Sequence, residues 1–202
     1  MSGKAEVAEP ERGYWQKLHA RTVSERNEKK VSADNIQSSL IVRLKELASK
    51  NHCPKQAIGW FTIKGDSGGL RLLRLKEGLP KKDERGHSAI ELTDLQYVED
   101  GALLTLSVLV DPRAQRLLKY SIGIQGQSKN PGRFWYARID LDQEPKGVGL
   151  CGHPLLHCHV GEPSEVFTPR VPLPWMMPVD ALDWLLSTVH SPLDRTHAAQ
   201  AP

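Results

Sequence analysis

Apolar residues recur at helical spacing near the start of this chain, alternate through its middle, and return to helical spacing near its end. Between residues 11 and 30, Tyr14, Trp15 and Leu18 outline a helix, but Arg21 to Lys30 offers almost no apolar face. Ser32 is placed as the N-cap of a better helix. Behind it Ile36, Leu40, Leu44 and Leu47, with Ile41 alongside, line one stripe until Asn51 to Pro54 stops it. The period then changes to two. Ala57–Lys64 and Leu70–Leu75 flank Gly65-Asp66-Ser67-Gly68-Gly69, a hairpin signal. Glu77 to Gly86 reads as a charged loop, and Ile90–Val98 fits strand or helix equally.

Ala102–Val110 is almost continuously apolar, which predicts a central strand ended by Asp111-Pro112. Leu117–Ile124 alternates, with Leu118, Tyr120, Ile122 and Ile124 on one face and Lys119, Ser121 and Gly123 on the other. A polar segment, Gln125 to Gly132, joins it to Arg133–Asp142 as a hairpin. Pro169, Pro172, Pro174 and Pro178 hold an extended path. Pro178 then opens a final amphipathic helix, with Asp180 and Asp183 in its first turn and Leu182, Leu185, Leu186 and Val189 on its buried face. The predicted fold class is α+β: a mainly antiparallel sheet with an N-terminal helical region and a C-terminal amphipathic helix. Residues 1–10 are expected to be a disordered N-terminus, 11–190 a single domain, and 191–202 a flexible tail.

Composition narrows the class without naming a function. An apolar fraction of 39% in 202 residues implies one modest core. The net charge of +3 permits nucleic acid as a partner without arguing for it. Cys53, Cys151 and Cys158 follow no disulfide framework, which fits a reducing, cytoplasmic compartment. The first residues contain no apolar stretch, so no secretory signal is expected. No run approaches the ~18 apolar residues of a membrane span, so no membrane partner is expected either.

The chemistry is concentrated between residues 138 and 172: Arg138-Ile139-Asp140-Leu141-Asp142, then His153-Pro154-Leu155-Leu156-His157-Cys158-His159-Val160-Gly161, then Arg170-Val171-Pro172. On strands, Arg138, Asp140 and Asp142 share one face, as do His157 and His159, with Cys158 turned away. Three readings follow. In the first, His157 and His159, completed by Asp140 or Asp142 and with Cys151, His153 and Cys158 as further donors, bind a metal such as zinc.

In the second, no metal or other cofactor is required. His157 and His159 act as general acid and base on a phosphodiester, Arg138 stabilises the developing charge, and Asp140 orients a histidine. RNA would bring its own nucleophile in the 2′-hydroxyl. Lys119, Lys129, Arg133, Phe134, Trp135 and Tyr136 interleave charge with aromatic surface suited to single-stranded nucleic acid, with Lys119, Arg133 and Tyr136 as candidate substrate contacts. In the third, the cluster is structural, His157 bonding Asp140 across neighbouring strands. Lys81 to Arg85 reads as a solvated loop, and His19, His52, His87, His190 and His197 as scattered surface.

The order Arg-x-Asp, His-Pro-x-x-His-x-His-x-Gly, Arg-x-Pro and a C-terminal amphipathic helix resembles small bacterial proteins of toxin–antitoxin and genome-defence loci, of the TumE type. The resemblance covers Trp135 to Val189. It implies a meandering sheet carrying the polar motif, a ribonuclease-like or toxic role, and functional positions at Arg138, Asp140, His153, His157, His159 and Arg170. His153 and Arg170 thereby join the candidate substrate contacts. The present chain is longer and adds an N-terminal helical region. The expectation is a prokaryotic defence or toxin-like protein acting on RNA or single-stranded nucleic acid, with an antitoxin or defence subunit as partner. The alternative is a non-enzymatic interaction subunit of a defence assembly, docking through a sheet edge or the N-terminal helix.

Overall fold

The strand Ala102–Asp111 (β4) alternates buried with half-buried residues along its whole length, because one face meets helices and the other does not. The computed structural model describes residues 9–65, 68–129, 134–142, 154–160 and 170–189. Around β4 lie Phe61–Gly65 (β1), Arg71–Leu75 (β2), Ile90–Leu92 (β3), Arg116–Gln127 (β5), Phe134–Leu141 (β6), Leu156–Val160 (β7) and Arg170–Pro172 (β8). They form one antiparallel sheet in the order β1-β2-β4-β5-β6-β7-β8, with β3 pairing the start of β4. The α+β class is as the pattern predicts.

Three helices are described: Glu9–Glu28 (α1), Ala33–Ser49 (α2) and Pro178–Val189 (α3). Ser32 caps α2, its hydroxyl accepting from the Asn35 amide, and Ile36, Leu40, Leu44 and Leu47 are buried as the stripe requires. Leu182 and Leu185 of α3 are fully buried, and Leu186 partly. Both helices pack on the face carrying Leu73, Val108, Tyr120, Leu141 and Leu156, residues that lie side by side in register. The Tyr120 hydroxyl donates to the Met176 carbonyl at 3.2 Å, pinning the approach to α3.

Several boundaries differ from expectation. Lys55–Trp60 is a 3-10 helix, so β1 starts at Phe61 rather than Ala57. Of the ambiguous Ile90–Val98 segment only Ile90–Leu92 pairs as a strand. Helix α1 runs through Arg21 to Glu28 despite lacking an apolar face, and it starts at Glu9, inside the stretch expected to be disordered. Residues 1–8 and the tail 191–202 lie outside the described residues. None of the described helices is long and apolar enough to cross a membrane.

Candidate functional site

The face of the sheet turned away from α2 and α3 carries two polar rows that run across the strands. Register sets Arg74, Ser107, Ser121, Asp140 and His157 side by side, and likewise Thr105, Gly123, Arg138, His159 and Arg170. Strand alternation explains the composition of each row, since every second residue must face this side. The rows floor a cleft of about 830 Å³, edged on the far side by Lys82, Arg85, Gly86, His87 and Ser88.

At one end of the floor four predicted residues meet. The His157 Nε2 lies 2.9 Å from His159 Nε2. The Asp140 Oδ2 is 3.3 Å from His159 Nε2 and 3.9 Å from His157 Nε2. The Arg138 Nε donates to the same carboxylate oxygen at 2.8 Å. Asp140, His157 and His159 are all buried. The His157 Nδ1 lies 2.8 Å from the Pro154 carbonyl, which can only accept, so Nδ1 carries a hydrogen and a neutral His157 presents its lone pair at Nε2. Three donor atoms converging in this way could hold one metal ion.

Lys119 and Arg170 also line the cleft; both are exposed. Neither forms an ion pair among the described residues, and the same holds for Lys82. Arg74 pairs with Glu77. Six cations line the cleft (Arg74, Lys82, Arg85, Lys119, Arg138 and Arg170) against the carboxylates of Glu77, Asp140 and Asp142.

Other expected contacts are corrected. Tyr136 is buried, lies outside the cleft lining, and its hydroxyl has no hydrogen-bond partner among the described residues. The ring shares the parity of Arg138 but is covered, so it offers no stacking surface. Burial also pushes its phenol well above the ordinary range. Lys129 donates to the Leu95 carbonyl and stands away from the site. Cys158 is buried on the helix side, and desolvation pushes its thiol up to about 12, so it is no ligand for the cluster. Arg133, His153 and Cys151 lie outside the described residues, as do the side chains of Phe134 and Trp135.

The loop from Lys76 to Ala89 is the part that sequence reasoning missed. Asp83 folds it: one carboxylate oxygen accepts from the amides of Arg85 at 3.0 Å and His87 at 2.7 Å. Its other oxygen is 3.1 Å from His87 Nδ1. Lys82, Arg85 and His87 are exposed, as a solvated loop requires, and this turn also sets them at the cleft edge. An Asp followed by a Gly three residues on was the available turn signal.

Comparison with known protein families, curated proteins and solved structures finds no match to this chain. The geometry of the cleft therefore carries the functional argument.

Proposed function

We propose that this chain cleaves a phosphodiester of RNA, or acts on single-stranded nucleic acid, at the Arg138, Asp140, His157 and His159 cluster. The setting is that of cytoplasmic prokaryotic toxin and defence-locus proteins, which the C-terminal third resembles. One observation supports the reading above the rest: a buried His–His–Asp convergence opens onto a cleft whose exposed Lys82, Lys119 and Arg170 form no ion pair among the described residues. Nucleic-acid clefts track a backbone with such cations.

The cluster narrows the chemistry first expected of it. With Nε2 atoms 2.9 Å apart, the two imidazoles leave no room for a phosphate between them. They work as one proton-handling centre on one side of the scissile bond. In RNA the 2′-hydroxyl gives its proton to that centre and its oxygen bonds to phosphorus. The P–O5′ bond breaks on the opposite side of phosphorus, and the departing oxygen takes a proton from water, leaving a 2′,3′-cyclic phosphate and a 5′-hydroxyl. Arg138, at the same opening, stabilises charge on the phosphoryl oxygens. A metal held by the same donors would take over the imidazoles' role, supplying a bound water of lowered pKa as the base in their place. The competing reading, an interaction subunit, draws on α1, whose apolar residues form no continuous stripe and which leaves Tyr14 63% exposed.

Labelled RNA and DNA of one sequence, incubated with purified protein, test the proposal. The RNA is cleaved and the DNA is only bound. His157→Ala and His159→Ala each lower cleavage by about 100-fold or more, and Lys119→Ala raises KM with kcat nearly unchanged. Cleavage by both histidine variants at the wild-type rate removes the assignment. A copurifying protein lost on altering Leu18, and kept in His157→Ala, favours the interaction subunit.

A further inference from the structure

We infer that Asp140, His157 and His159 form a binding site for one divalent transition-metal ion of the zinc class. The site is defined by interatomic distances and is independent of the substrate. The three donor atoms make a triangle with sides of 2.9, 3.3 and 3.9 Å. Their mean, about 3.4 Å, is the ligand–ligand spacing of a tetrahedral zinc ion bonded at about 2.0–2.2 Å to histidine nitrogen and carboxylate oxygen.

The tautomer points the same way. The Pro154 carbonyl holds the hydrogen of His157 on Nδ1, which leaves a lone pair on the Nε2 that faces the centre. The Nε2 of His159 has at most one hydrogen, which cannot satisfy His157 and Asp140 together at full strength. A cation at the centre satisfies all three donors at once. The supports are those that metal sites use: a backbone carbonyl fixes one imidazole, and Arg138 holds the carboxylate through Oδ2. All three ligands line the cleft, so further coordination positions face it, as in catalytic rather than structural zinc sites. An ion there would polarise an oxygen bound beside Arg138.

The test uses the full-length chain without a histidine tag, stripped with chelator and titrated with zinc chloride by calorimetry. Cobalt chloride followed by visible absorption reports the coordination. One ion binds per chain, zinc raises Tm by several degrees, and His159→Ala and Asp140→Asn each weaken binding by 10-fold or more. Cys158→Ala, on the opposite face, binds as the wild type does. The His159→Ala and Asp140→Asn variants keep the proposal testable if His157→Ala fails to fold. Zinc stoichiometry near zero, or equal affinity in wild type and His159→Ala, overturns the site. Zinc binding without RNA cleavage keeps the site and removes the nuclease reading. Cleavage that survives complete chelation, with no zinc bound, does the reverse.

Discussion

Gly123 shows how a single position sets the site. It lies between Thr105 and Arg138 in the second polar row, and a Cβ added there would meet Arg138 Cγ and Thr105 Oγ1 at 3.2 Å each. The missing side chain lets Arg138 lie across β5 and reach Asp140. Gly123→Val should therefore displace the guanidinium. A β-branched residue suits a strand, so the fold should persist. RNA cleavage should fall roughly 10-fold, equivalent to about 1.4 kcal/mol of barrier, while the circular dichroism spectrum stays unchanged. Wild-type kcat in Gly123→Val would show that Arg138 needs no such space. At this scale the sequence was informative about His157, His159, Arg138 and Asp140, because strand parity alone puts each pair on one face. It was uninformative about Tyr136, whose burial depends on what covers it, and about Arg74, which reaches the site only through pairings with β4, β5 and β6.

Among the elements, α1 and α2 contrast. Helix α2 was legible because its apolar stripe and its cap agree. Helix α1 is held by other means. Arg21 pairs with Glu25 at 2.8 Å, one turn on, and Asn27 accepts from Arg116 of β5 at 3.2 Å. The second of these, 89 residues apart, leaves no periodic mark in the sequence. The segment after α2 gives a pH prediction. The Cys53 thiol is buried against the end of α2, facing the Leu44 carbonyl, and burial pushes its pKa up to about 11. The fold thus favours the neutral thiol. Its contribution is complete below the ordinary cysteine range near ~8.5 and is lost as pH rises towards about 11. Urea melts should show the wild type losing more stability between pH 8 and pH 10.5 than Cys53→Ala loses. Equal losses would mean the thiol is not desolvated. Thiol reagents at pH 8 should modify Cys53 only after unfolding.

Over the whole molecule, charge is distributed rather than extreme. A net charge of +3 conceals a cleft in which six cations face three carboxylates. Binding of a single strand there should weaken with salt by about 0.7 in the log–log slope for each phosphate contacted. Lys119→Ala should lower that slope by roughly one such step, measured by fluorescence anisotropy on single-stranded RNA. An unchanged slope would place the nucleic acid elsewhere. The reason for this concentration is topological. One face of a seven-strand path is covered by α2 and α3, so polar side chains such as Arg74, Ser107, Ser121, Arg138 and His157 gather on the other.

The sequence by itself determined the α+β class, the two capped or amphipathic helices, and which residues of each strand share a face. These follow from backbone periods that act over a few neighbours. Only the tertiary structure decided that β6 and β7 pair with Arg138 opposite His159 and Asp140 opposite His157, and that the Asp83 turn closes the cleft's far edge. Register between separate segments is set by which pairing buries the helix-facing side chains of all strands together. That is a property of the assembled sheet and of no local window of residues.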